Sequence, residues 1–145
     1  MKRLNYSIEI DAPASKVWDA LWSDENYRNW TTVFCEGSYA ESNWQEGGRI
    51  RFMTPSLDGM YSIIAKMRPN EVMAFSHIGN VKNGEELPVD DETRSWSGAQ
   101  ENYYLSEENN RTTLNVEVDV TEDHVGYFES AFPKGLQKVK EIAES

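Results

Sequence analysis

Residues 114–120 read Leu-Asn-Val-Glu-Val-Asp-Val, with apolar side chains at Leu114, Val116, Val118 and Val120 and polar ones at Asn115, Glu117 and Asp119. Successive side chains of a strand point to opposite faces, so this period of two describes a strand packed on one side and wet on the other. A sheet with one apolar face must bury it against another element. The next segment supplies that cover. Val125, Phe128, Phe132, Leu136, Val139 and Ala143 recur at three- and four-residue spacing, the stripe of a long amphipathic helix, with Thr121 as a candidate N-cap. Pro133 and Gly135 lie inside the stripe. Proline removes a backbone donor and crowds the preceding turn, which predicts a kink, with two helices broken near Phe132 as the alternative.

The strand period also opens the chain, where Leu4, Tyr6, Ile8 and Ile10 alternate with Asn5, Ser7 and Glu9. After Asp11, Pro13 marks a helix start, and Val17, Trp18, Leu21 and Trp22 form an apolar stripe. A second short helix, capped at Ser23, carries Tyr27 and Trp30 on one side. Six further strands are predicted over 32–39, 49–54, 60–67, 72–78, 95–105 and 112–120. Turn chemistry separates them at Gly47-Gly48, Leu57-Asp58-Gly59, Arg68-Pro69-Asn70 and Glu108-Asn109-Asn110. Consecutive hairpins imply an antiparallel meander, and the order βααββββββα indicates the α+β class. The expected architecture is a seven-stranded curved antiparallel sheet around the long C-terminal helix, forming a single domain over residues 1–145.

A chain of 145 residues is long enough to bury a sizeable core. Its formal net charge of −11 repels phosphate backbones and anionic lipid, which argues against a nucleic-acid partner. No apolar run approaches a membrane span and the N-terminus lacks the apolar core of a signal peptide, so neither membrane insertion nor secretion is expected. The lone Cys35 has no internal disulfide partner, which fits a reducing, cytoplasmic setting. It is expected as a small buried or half-buried strand residue.

Several segments together resemble a known superfamily. They are Ile10-Asp-Ala-Pro-Ala-Ser-Lys-Val-Trp-Asp-Ala-Leu21 with Trp30, the turn Trp44-Gln-Glu-Gly-Gly48, Gly59 before a strand, Arg68-Pro-Asn-Glu-Val-Met-Ala-Phe75, and Gly135-Leu136 in the last helix. The chain is similar to the START-like (SRPBCC, Bet v 1-like) helix-grip superfamily, and within it to the branch named after the activator of Hsp90 ATPase. The resemblance spans nearly the whole chain. It implies an apolar cavity between sheet and last helix, and members that bind lipids, sterols or polyketides, cyclise polyketides, or assist a chaperone. Where many relatives carry Trp after the glycine of the last helix, this chain has Leu136, which implies an altered or larger cavity.

Strand parity names the wall of that cavity. With Lys66 outward, Tyr61, Ile63, Ala65 and Met67 face the helix, and Met73, Phe75 and His77 follow from the next strand. Tyr103 and Leu105 face it from the sixth. The expected ligand-binding residues are thus Trp30, Phe52, Tyr61, Ile63, Phe75 and His77, completed by Tyr103, Phe128, Phe132 and Leu136. Much of this set would serve as core, because aromatic positions on an inner sheet face usually do. The same parity places Glu101 inside and near His77, an imidazole–carboxylate pair of the kind acid–base sites use. A one-residue bulge would instead put Glu101 in water. The five carboxylates of 84–92 lack the ligand spacing of a tight Ca²⁺ site and read as a solvated flap over one mouth of the cavity. No nucleophile motif, phosphate-binding glycine loop or metal-ligand spacing occurs, so no cofactor or metal is expected. The reading is a binding protein for a small hydrophobic ligand, not demonstrably an enzyme. Its rivals are an Hsp90-type co-chaperone module, which lacks the namesake's separate N-terminal domain, and a cyclase or hydrolase using His77 and Glu101.

Overall fold

A computed structural model describes residues 1–145. Strand β1 (Lys2–Ile10) is followed by helices α1 (Ala14–Trp22) and α2 (Asp24–Trp30), then β2 (Tyr39–Ser42), β3 (Arg49–Met53), β4 (Gly59–Arg68) and β5 (Val72–Lys82). The short β6 (Glu85–Glu86) and α3 (Asp91–Arg94) precede β7 (Gln100–Glu108), β8 (Arg111–Val120) and the final helix α4 (Val125–Glu144). All strand pairs are antiparallel, in the order β1-β8-β7-β5-β4-β3-β2 with β6 added beside β5. This is the α+β helix-grip architecture expected, with eight strands because of the two-residue β6.

The alternation in β8 places Leu114, Val116, Val118 and Val120 in the core. Leu4 and Ile10 of β1 and Tyr103 of β7 join them, and Phe132, Leu136, Val139 and Ala143 of α4 close over the face. Helix α4 runs unbroken through Pro133, so the two-helix alternative does not hold. The physical reason lies in which side the proline occupies. Pro133 is exposed, as is Glu129 one turn earlier, so the carbonyl freed by the missing N–H meets water while the buried stripe continues. Gly135 serves a close approach: a Cβ there would lie 3.2 Å from both the Trp30 ring and Val33. The indole of Trp30 is anchored by its N–H, which donates to the Leu21 carbonyl at 3.0 Å.

Several expectations fail locally. Residues 32–39 do not form a strand: a 3-10 turn (Thr31–Val33) and a loop lead to β2. Phe34 is drawn inward there, 5.1 Å from Phe132 and 6.3 Å from Trp30 between ring centroids, and tertiary packing overrides its strand preference. Cys35 is consequently exposed on a loop rather than buried in a strand. The strand predicted over 95–105 begins only at Gln100, because Asp90 caps α3 by accepting from the Thr93 N–H at 2.8 Å and the chain then turns. Thr121 precedes a 3-10 turn (Glu122–His124) and makes no side-chain cap to the backbone.

Residues 84–92 are no flap over the cavity. Glu86 pairs with Arg49 at 2.7 Å and Arg51 at 3.0 Å, and the Leu87 carbonyl accepts from the Tyr61 hydroxyl at 2.7 Å. These contacts bind the segment to the outer face of the sheet. There Met53, Tyr61 and Val81 form a second small apolar cluster.

Leu136 is 3% exposed, inside the packed core, so the space a tryptophan would need is already filled. Leu136→Trp is therefore expected to lower stability by about 1–3 kcal/mol through overpacking, read as a lower urea midpoint. Unchanged stability would place Leu136 against open space instead.

Candidate functional site

The paired strands β4 and β5 each carry one extra residue. The register passes from Ile64↔Phe75 to Lys66↔Ala74, leaving Ala65 unmatched, and from Ser62↔His77 to Tyr61↔Gly79, leaving Ile78 unmatched. Each bulge reverses the inside–outside parity beyond it. Met60, Ser62 and Ile64 consequently turn inward. Tyr61 packs in the outer cluster, and Ile63 lies opposite the exposed Arg49, so neither belongs to the wall assigned to it from strand parity. Ala65 is exposed as well, while Met67 keeps its inward side.

Between the inner face of β3 and β4, helix α2 and the first turns of α4 lies an open cavity of about 300 Å³. Small-molecule sites occupy roughly 300–1,000 Å³. Ten of its 14 lining residues are hydrophobic, which makes it a site for an apolar body. Trp30, Phe52, Phe128 and Phe132 line it as expected. Sequence reasoning missed Tyr27, Phe34, Met60 and Tyr127, which also line it. The i, i+3 spacing of Tyr27 and Trp30 was a usable signal for the first; the bulge at Ala65, which turns Met60 inward, and the loop at Phe34 left none. A second cavity of about 280 Å³, reached past His77, Trp96 and Val118, shares Met60, Glu101 and Phe128 with the first. Phe75, Tyr103 and Leu136 line neither cavity and are buried behind the wall, Phe75 touching Phe52 edge-on at 5.1 Å.

Glu101 stands where the two cavities meet. It enters from β7 opposite Phe75 and keeps its inward parity, with a side chain 20% exposed. His77 Nε2 lies 3.2 Å from Glu101 Oε1, and the Tyr103 hydroxyl donates to Oε2 at 2.5 Å. On the far side of the imidazole, Nδ1 is 2.7 Å from the hydroxyl of Ser62, which is fully buried. One arrangement uses every proton: Ser62 donates to Nδ1, Nε2–H donates to Glu101, and Tyr103 donates to its other oxygen. Two side chains thus donate to a carboxylate that accepts on both oxygens, and Ser62 holds one of those donors, His77, from behind.

Burial raises the Tyr103 hydroxyl well above the usual phenol range, and the neighbouring Glu101 charge adds to it. The Tyr27 hydroxyl is raised by the same two causes in the same order. Both phenols therefore stay neutral, and that of Tyr103 donates to Glu101. Asp119, which lines the second cavity, is held below the usual carboxylate range, chiefly by its hydrogen bond from Arg3 at 2.8 Å. Ser62 is shut in and engaged with His77, so it is a donor to the imidazole and no accessible nucleophile. Chemically, the site can accept a hydrogen bond or a proton from a bound molecule at Glu101.

If the buried Ser62–His77 bond holds the imidazole in that orientation, Ser62→Ala leaves Nδ1 without a partner. The expected cost is about 1–3 kcal/mol, measured by chemical denaturation; a neutral change would mean that Nδ1 has another donor.

The geometry has parallels among known proteins. The solution structure of the Aha1 dimer from Colwellia psychrerythraea superposes with a TM-score of 0.74 at 22% identity, covering 99% of this chain and 97% of that one. DynU16, from the dynemicin biosynthetic locus, gives a TM-score of 0.71 at 12% identity over 100% of this chain, which spans only 48% of that longer one. CalU16 from Micromonospora echinospora gives 0.67 at 17% identity, covering 97% and 75%. At these identities the likeness establishes the fold alone. No functionally curated protein matches the chain. No helix is long and apolar enough to cross a membrane. The sequence model for the Activator of Hsp90 ATPase homolog 1-like protein matches residues 11–141, nearly the whole sequence, and the chain belongs to that family.

Proposed function

We propose that this protein binds a small apolar molecule in the cavity between α2, β3, β4 and α4. The observation that carries the reading is the cavity itself: about 300 Å³, walled by aromatic side chains from three different elements, with a single carboxylate at its inner end. A core that had only to be stable would close such a space, because interiors pack to crystal-like density. The occurrence of DynU16 in a biosynthetic locus supports a small-molecule context.

One feature favours a second reading, a cyclase-type proton transfer at Glu101. The donors from His77 and Tyr103 hold that carboxylate in place beside the space a ligand would fill, as general acid–base catalysis requires. Hydrolysis through a serine nucleophile finds no support, since Ser62 is buried. In that second reading Glu101→Gln abolishes turnover while binding persists. The family name carries a third reading, contact with an Hsp90-type chaperone, for which a stable complex in a pull-down with purified Hsp90 is the evidence needed.

The binding reading is tested by titrating N-phenylnaphthylamine, a neutral apolar fluorophore. Saturable binding at one equivalent is expected, together with a raised melting temperature. Met60→Trp fills the space shared by both cavities and should weaken the probe about tenfold or more. No saturable binding, or binding indifferent to Met60→Trp, would overturn the assignment.

A further inference from the structure

The charges around the cavity go further than its shape. Glu101 is the only charged side chain lining the first cavity, and no lysine or arginine lines either cavity. His77 is the nearest group that could compensate a negative charge, but its surroundings use it otherwise. Both ring nitrogens are engaged, Nδ1 by Ser62 and Nε2 by Glu101, and neither is free to meet a ligand anion. Each carboxylate oxygen already accepts one hydrogen bond, from His77 or from Tyr103, and each retains acceptor capacity toward the cavity. The hydroxyl of Tyr27, on the same wall, has no protein partner; only its backbone carbonyl is engaged by a side chain, accepting from Thr31 at 2.6 Å. Tyr27 is a largely buried residue on the cavity wall, and its hydroxyl is free to pair with a ligand.

We infer that the site selects its ligand by hydrogen-bonding sense: it takes an apolar molecule carrying a neutral or cationic donor, such as a phenol, alcohol, amide or amine, and rejects carboxylates. A donor completes the lone pairs of Glu101 and can accept from or donate to Tyr27. An anionic ligand in the first cavity would bring a second negative charge beside Glu101 in a largely apolar space that no lysine, arginine or chain terminus lines, a costly arrangement for two like charges; Met1, with the α-amino group, and His124 line only the second cavity. Free fatty acids and acidic aromatic compounds are thereby excluded, while their neutral counterparts fit. The net charge of −11 pushes in the same direction at longer range.

This inference rests on the binding reading, and the test separates the two. Naphthamide and naphthoate of the same substitution have nearly the same shape and differ in that one donates and the other is an anion at neutral pH. Both are used to displace N-phenylnaphthylamine from the wild-type protein. Naphthamide is expected to displace it at about tenfold lower concentration than naphthoate. In Glu101→Gln, which keeps the size of the side chain and removes its charge, the difference should shrink to about threefold or less, mainly through stronger naphthoate binding. The wild-type comparison stands alone if that variant fails to fold. Equal displacement by the two compounds, preference for naphthoate, or displacement by neither overturns the selectivity and leaves apolar binding in place. Failure of the fluorophore itself to bind overturns both.

Discussion

The structure depends on covering one apolar sheet face with a helix that reaches only part of it. Over β1, β8 and β7 the cover is complete: Val116, Val118, Leu114 and Tyr103 meet Phe132, Leu136 and Val139 with no appreciable exposure. Over β3 and β4 it is not, because there the first turns of α4 and the end of α2 arch across the sheet and contribute rings rather than a continuous surface. Trp30 packed against Gly135 sets how closely α2 and α4 approach. The wedge left between them and the sheet is the cavity.

Into that wedge the fold introduces a carboxylate and then surrounds it with donors. Burying a charge without partners is unfavourable by several kcal/mol or more, and a half-satisfied polar network is worse than an apolar one. Ser62, His77 and Tyr103 answer that requirement from three strands at once: β4, β5 and β7. Removing any one leaves another group short of a partner. A network built this way specifies both the position of Glu101 and the sense in which its free lone pairs face, so stability and selectivity arise from the same contacts. Elsewhere two buried polar atoms, the Tyr6 hydroxyl and the Trp22 indole N–H, have no hydrogen-bond partner. The Trp22 ring instead meets Tyr103 edge-on at 4.9 Å and Phe75 at 5.4 Å, where aromatic contact offsets part of the loss.

Membership of the Hsp90-activator-like family and likeness to neighbours such as DynU16 give the fold, which many activities share. What the site offers a ligand is set by the identity of a few side chains in the wedge. Met60 and Phe128 separate two cavities that meet at Glu101, and Leu136 fills with core what a larger residue would otherwise occupy.

The element order, the one-sided character of β8 and the stripe of α4 were legible from the sequence because each is a local property: a period of two or of 3.6 records which side of a single element is buried. Glu101 inward and near His77 was legible for the same reason, since no irregularity intervenes between Glu101 and Tyr103. Tyr61 and Ile63 were misplaced because an extra residue at Ala65 exists only in the pairing of β4 with β5, and a bulge has no periodic signature in either strand alone. Phe34 and Cys35 were misplaced because the pull of Trp30, Phe128 and Phe132 on a phenyl ring outweighs the strand preference of its segment. The sequence by itself thus determined the layers and which faces meet. Only the tertiary structure decided where those faces fail to touch and which polar atoms close around the gap, because those depend on distances between elements that no single element encodes.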